Sequence, residues 1–219
     1  SECPAIQTFS LPDATGGTFT QHLGVEVTDC PLLHDLVFTS VEDVSLDLEN
    51  LPSLQSLSAF SAIRKVNSQM KIVSSGVSNL SALSGATISG PIDLEDLPAL
   101  TTLEGLDGLA LALPDEPSST SLTLRSLPSL SSVSGADGAA VGSIDFEDLP
   151  LVERLPAFAL PIQGLDLIDL PSLQSLSGIT LADGRGVDIE GCASLPDLEP
   201  LTFGAHEPFY GSVPASVEI

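Results

Sequence analysis

The residues of this chain that could do chemistry are carboxylates, and they recur. In the stretch IDLEDLPALTTLEGL, Ile92 to Leu106, the acids Asp93, Glu95 and Asp96 stand among leucines. Nearly the same phrase returns as LDLENLPSLQSL from Leu46, LTLRSLPSLSSV from Leu122, IDFEDLPLVERL from Ile144 and LDLIDLPSLQSL from Leu165. Acids at fixed spacing could hold a hard cation such as Ca²⁺, which takes several carboxylate oxygens, or supply the acid and base pair of a carbohydrate-active β-helix. The second chemistry needs two acids in unlike environments with basic or aromatic groups to grip sugar, whereas these acids repeat by register. Other catalytic constellations are missing: His22, His34 and His206 stand apart, no HExxH or Cys/His spacing suits zinc, and there is neither a GxSxG elbow nor a phosphate-cradling glycine loop. The chain reads as a non-enzyme that requires no cofactor.

What positions the acids is an internal repeat. With the first apolar residue of each copy taken as position 0, three degenerate copies join the others: VEVTDCPLLHDL from Val25, IVSSGVSNLSAL from Ile72 and VDIEGCASLPDL from Val187. The sequence thus predicts about eight rungs of 21–22 residues, with insertions after the second and fourth. Positions 0, 2, 5, 8 and 11 are apolar throughout, Ser74 being the exception. Positions 0 and 2 around a polar residue predict a short half-buried strand. The later spacing of three suits a tight path returning round a coil, and proline at position 6 (Pro31, Pro52, Pro98, Pro128, Pro150, Pro171) stops a helix from running on. No rung can bury its leucines alone, but stacked rungs bury them against the same columns of their neighbours. The expected fold is a β-rich repeat solenoid, a single structural domain with an N-terminal cap over 1–24, rungs over 25–201 and a C-terminal cap or linker over 202–219.

The columns L-x-L-x-x-L/C-x-x-L-x-x-L resemble leucine-rich repeats. VDIEGCASLPDLEPL, with its short rungs of variable length, is similar to the L-domains of the insulin and growth-factor receptors and of related fungal and microbial surface proteins. The resemblance covers roughly Val25 to Leu201 and implies a right-handed parallel β-helix of L-domain type. Position 5 holds Leu or Cys where leucine-rich repeats carry an asparagine ladder, and only Asn50 stands nearby, which favours the flatter L-domain coil over a regular horseshoe.

Thirty acids against six bases give a formal net charge of −24, which argues against nucleic acid and anionic membranes as partners because both would be repelled. Position 1 collects Glu26, Asp47, Asp93, Asp145, Asp166 and Asp188, with Val73 and Thr123 as exceptions; position 3 adds Glu49, Glu95, Glu147 and Glu190; position 4 adds Asp29, Asp96, Asp148 and Asp169. Side chains at position 1 must point away from the core, so these acids form a ladder on the outside of the sheet. Its plainer reading is a solubility device that also discourages strand-edge aggregation. Its functional readings are a contact for a basic protein or surface, or a cation site for which Asp145, Asp166 and Asp188, on consecutive rungs, are the candidates for Ca²⁺.

Two insertions are candidates for specificity. FSAIRKVNSQMK gathers Arg64, Lys65 and Lys71 into one expected loop or short helix, and GLALALPDEPSS is an apolar run closed by a Pro-rich turn. A basic loop of one molecule could meet the acidic ladder of another. Cys3 before the first rung and Cys30 within it are expected to bridge an N-terminal cap, whereas Cys192 lies too many rungs away to reach either and is expected to be a buried thiol. Ser1 starts without methionine or apolar leader, as a processed secreted chain would, and Asn79 in NLS fits the N-glycosylation pattern. No apolar run approaches the ~18 residues needed to span a bilayer. The sequence therefore points to a secreted or cell-surface, non-enzymatic recognition or adhesion module, its partner a protein or matrix surface of basic character. The alternatives are a building block that self-assembles into a filament or coat through its acidic face, and a β-helical carbohydrate enzyme.

Overall fold

A computed structural model describes residues 8–11, 22–38, 43–107, 120–182, 186–196, 202–203 and 217–218. In chain order the strands are β1 (Thr8–Leu11), β2 (His22–Thr28), β3 (Asp35–Phe38), β4 (Asp43–Leu51), β5 (Lys65–Ser75), β6 (Thr87–Ile88), β7 (Ile92–Glu95), β8 (Ser121–Arg125), β9 (Ser143–Glu147), β10 (Gly164–Ile168), β11 (Thr180–Leu181), β12 (Val187–Glu190), β13 (Thr202–Phe203) and β14 (Val217–Glu218). One long sheet runs β2-β4-β5-β7-β8-β9-β10-β12-β14, with β6 paired to β5, and its pairs are parallel. Two-stranded sheets β1-β3 and β11-β13 lie outside it. Successive parallel strands joined by a full circuit of chain make a β-solenoid, as the repeat predicts.

The repeat dictates this because alternate strand residues face opposite ways. At positions 0 and 2, Leu46 and Leu48, Ile92 and Leu94, Leu122 and Leu124, and Leu165 and Leu167 are almost wholly buried. The return path adds Leu51, Leu54 and Leu57 on one rung and Leu97, Leu100 and Leu103 on another, all merging into one core. Each such side chain gains roughly 1.5–3 kcal/mol by leaving water, and only stacking makes that burial available. Where the coil bends, single-turn 3₁₀ helices at Ser58–Phe60, Ser81–Leu83 and Ser134–Ala136 keep the spacing of three. Gly105 and Gly135 lie so close to the preceding rung that an added Cβ would stand 2.0 Å from the Leu80 carbonyl oxygen and 1.9 Å from that of Leu103.

The third rung corrects the sequence alignment. Leu46 pairs with Met70, and Met70 with Ile92, so position 0 is Met70 rather than Ile72. Ile72 takes position 2, Lys71 position 1 and Val73 position 3. Of the stretch expected as a loop or short helix, Phe60 closes the 3₁₀ turn Ser58–Phe60, and Lys65 to Lys71 instead form the first part of β5. There Lys65 and Val66 pair with Asp43 and Val44, and a bulge absorbs the extra residues before Met70. A bulge adds length without losing the pairing on either side, which is why the phase survives and why a sequence count misplaces it by two.

The corrected register exposes a second ladder. Asp29, Asn50, Ser74, Asp96, Ser126, Asp148, Asp169 and Gly191 occupy position 4 of successive rungs, and all have positive φ, from 50° to 69°. Outside glycine, Asn and Asp tolerate the left-handed region best. In five of these rungs the position-4 amide donates to the position-3 carbonyl of the next rung, at 2.9–3.1 Å (Asp29, Asp96, Ser126, Asp148, Asp169). Side chains join the column too: Asn50 Nδ2 donates to Asp29 Oδ1 at 2.8 Å, and Ser74 Oγ to Asp96 Oδ2 at 2.9 Å. Past the turn, the position-7 hydroxyls of Ser53, Ser129 and Ser172 donate to the proline carbonyls of Pro31, Pro98 and Pro150 at 2.6–2.7 Å. The acids at position 4, counted with the surface ladder from sequence, are turn residues that end each strand.

This column makes a stability prediction. Asp148→Val forces a β-branched side chain into the left-handed region and should cost about 1–2 kcal/mol, whereas Asp148→Gly, which suits that conformation, should stay within about 0.5 kcal/mol of the parent. Urea denaturation of both variants checks this; equal losses would contradict it.

Candidate functional site

The outer face of the long sheet is built by positions 1 and 3. Position 1 reads Glu26, Asp47, Lys71, Asp93, Thr123, Asp145, Asp166 and Asp188 across the rungs, and position 3 reads Thr28, Glu49, Val73, Glu95, Arg125, Glu147, Ile168 and Glu190. Neighbouring strands lie about 4.8 Å apart. Like charges at that spacing repel by roughly 1 kcal/mol per pair even at water's dielectric constant.

Two cations are set into this face. Lys71 Nζ bonds Glu49 Oε1, and Arg125 bonds Asp145 Oδ2 while its Nε stands 3.5 Å from Glu147 Oε2. Sequence reasoning gave Lys71 to a loop or short helix and did not single out Arg125. The signals were present: Met70-Lys71-Ile72 alternates as a strand does, and Arg125 stands at position 3 of LTLRSL. Lys71 separates Asp47 from Asp93, and Arg125 lies one strand before Asp145 and Glu147, so the first rungs are partly neutralised. Among the described residues, Asp166, Asp188 and Glu190, in the far part of the face, form no ion pair with Lys71 or Arg125.

The electrostatics follow from that placement. The Asp47 carboxyl is pushed above its ordinary range by burial first, with Glu49 and Glu26 adding to the push and Lys71 opposing it. One Asp47 oxygen is enclosed without a hydrogen bond. Asp93 is raised by burial, against Lys71 and Arg125, with Asp145 and Glu49 adding. Asp166 is raised by burial and then by Asp145 and Asp188, with Arg125 opposing. Lys71 and Arg125 are raised chiefly by their bonds to Glu49 and Asp145 and stay charged at neutral pH.

The remaining candidates are dispersed. Asp145, Asp166 and Asp188 are register partners, as expected, yet among the described residues no three His, Cys, Asp or Glu side chains converge into a group that could hold a metal ion. Arg64 and Lys65 are exposed where β5 begins. They do not form a protruding loop, and the whole apolar insertion lies outside the described residues, as do Cys3 and His206. Cys30 is buried, its Sγ donating to the Thr28 carbonyl at 3.3 Å; its expected bridge to Cys3 falls outside the described residues. Cys192 is a buried thiol whose pKa burial pushes up. His34 is exposed, with Nδ1 2.8 Å from Asp35 Oδ2. On the flank, an open groove of about 370 Å³ is lined by Ser81, Ser84, Glu104, Gly105, Asp107, Ser134 and Gly135. Glu104 and Asp107 are both exposed there, unlike the unequal pair that glycoside chemistry uses. No helix among the described residues is long and apolar enough to cross a membrane. No protein-family model, curated protein or solved structure matches the chain.

The raised carboxyls fix the sign of a pH effect. A carboxyl whose folded pKa exceeds its unfolded value binds its proton more tightly when folded, so its ionisation costs stability above the folded pKa and protonation restores it as pH falls. Lys71 and Arg125 do not titrate in that window. The melting temperature should therefore rise on acidification from pH 7 toward the ordinary carboxylate range near pH 4, and Asp166→Asn should flatten part of the rise. A melting temperature that falls steadily over the same range would contradict this.

Proposed function

We propose that the chain is a non-catalytic recognition or adhesion module, secreted or displayed at a cell surface, whose long sheet docks a basic protein or matrix surface. The observation that carries this reading is the placement of Asp145, Glu147, Asp166, Asp188 and Glu190 on the outward face of three consecutive strands, with Arg125 bonded only at their near margin. Stacked like charges lower strand stability, and a cationic partner would turn that cost into binding free energy. A flat rigid face also loses little conformational freedom on docking. The resemblance of the repeat to receptor L-domains supports the same role and, at finer grain, an L-domain type of coil.

The test separates this face from mere negative charge. Binding of poly-L-lysine is measured for the parent, for Asp145→Asn/Asp166→Asn/Asp188→Asn, and for a flank triple of equal charge change, Glu104→Gln/Asp107→Asn/Glu153→Gln. The sheet triple should weaken binding about tenfold, which is about 1.4 kcal/mol, and the flank triple no more than about twofold. Equal losses would mean that total charge alone attracts the polycation and would remove the reading.

A further inference from the structure

Asparagine is rare in this chain, and its three copies have different surroundings. Asn50 belongs to the left-handed column and spends its Nδ2 on Asp29, and Asn67 donates Nδ2 to Asp43 Oδ2 at 2.5 Å. Asn79 is exposed on the return path, outside the long sheet, two residues before the start of the 3₁₀ turn Ser81–Leu83. Its Oδ1 accepts from Ser81 Oγ at 2.6 Å and from the Ser81 amide at 3.3 Å, while its Nδ2 makes a long bond, 3.4 Å, to Ser78 Oγ.

The equivalent turn on other rungs needs no asparagine. Ser56 Oγ accepts from the Ser58 amide at 3.1 Å, Ser132 Oγ from that of Ser134 at 3.5 Å and Ser175 Oγ from that of Ser177 at 3.0 Å, so a serine hydroxyl caps the turn there. Asn79 reproduces that cap through Oδ1. What it adds is an outward carboxamide nitrogen, two residues before a hydroxyl that is bonded to the same amide, with Leu80 rather than proline between them. That is the acceptor pattern for an N-linked glycan.

We propose that Asn79 is an N-glycosylation site, on a hydroxyl-rich flank away from the acidic sheet face. Nδ2 would displace the pyrophosphate of a polyprenyl-pyrophosphate-linked oligosaccharide at the sugar C1. The C1–N bond forms, the C1–O bond breaks, the amide proton is lost to a base and no electron changes hands. Neighbouring side chains of the same turn column, Ser56, Thr102 and Ser132, carry no charge, so a glycan here would cover the return path and leave the acidic columns of the sheet open. The inference rests on the extracellular placement proposed above but not on the partner.

The full chain is secreted from a eukaryotic host behind a host leader and mapped by peptide mass spectrometry before and after enzymatic removal of N-glycans. The expected result is a glycan on the Asn79 peptide that is lost in Ser81→Ala and in Asn79→Ser and retained in Ser81→Thr. Asn79→Ser restores the residue that caps the sister turns, so equal secretion of that variant shows that the loss is not a folding failure. Folded secreted protein with an unmodified Asn79 would overturn the inference while leaving polycation binding untouched, and loss of polycation selectivity with Asn79 glycosylated would overturn only the docking reading.

Discussion

Everything in this molecule depends on turning every rung at the same place. A solenoid buries its leucines only if each rung presents them to the same columns of its neighbours, and a slip of one residue would turn those side chains to water. The left-handed residue at position 4 pins the register. It bends the chain out of the sheet, hands its amide to the next rung and leaves the following apolar residue pointing inward. The residues that hold this conformation are Asp, Asn, Ser and Gly, which explains a polar column beside leucines without appeal to a ligand.

The acids of the repeat therefore divide in two. Those at position 4 are exposed, and backbone geometry accounts for them. Those at positions 1 and 3 serve no such requirement: Thr123, Val73 and Ile168 occupy the same places without disturbing the strands. Their cost shows in the raised carboxyls of Asp47, Asp93 and Asp166, where burial and neighbouring acids outweigh two embedded cations. A feature that the fold does not need, and that strains it, is where a partner is most reasonably sought.

Much of this was legible in the sequence because its period is strong. Strand positions, inward columns and the outward column of acids all follow from alternation and a spacing near 21 residues. The third rung was misplaced because two extra residues are absorbed by a bulge between Val66 and Met70 while Ser74 and Ser75 break the apolar pattern further on, and SSG carries none of the L-P signal that anchors the other copies. The left-handed column was overlooked for a different reason: Asp at position 4 looks the same as Asp at position 1 until φ is known. Lys71 and Arg125 could have been placed by the alternation of their neighbours, whereas their bonds to Glu49 and Asp145 depend on which strand lies beside which.

The most direct test of a one-sided docking face is carbodiimide labelling of the carboxyls with and without bound poly-L-lysine, read by peptide mass spectrometry. The account predicts that Asp145, Glu147, Asp166, Asp188 and Glu190 become protected while Glu104, Asp107 and Glu153 on the flank label as before. Equal protection of both sets would contradict it and reduce the acidic columns to a solvated coat.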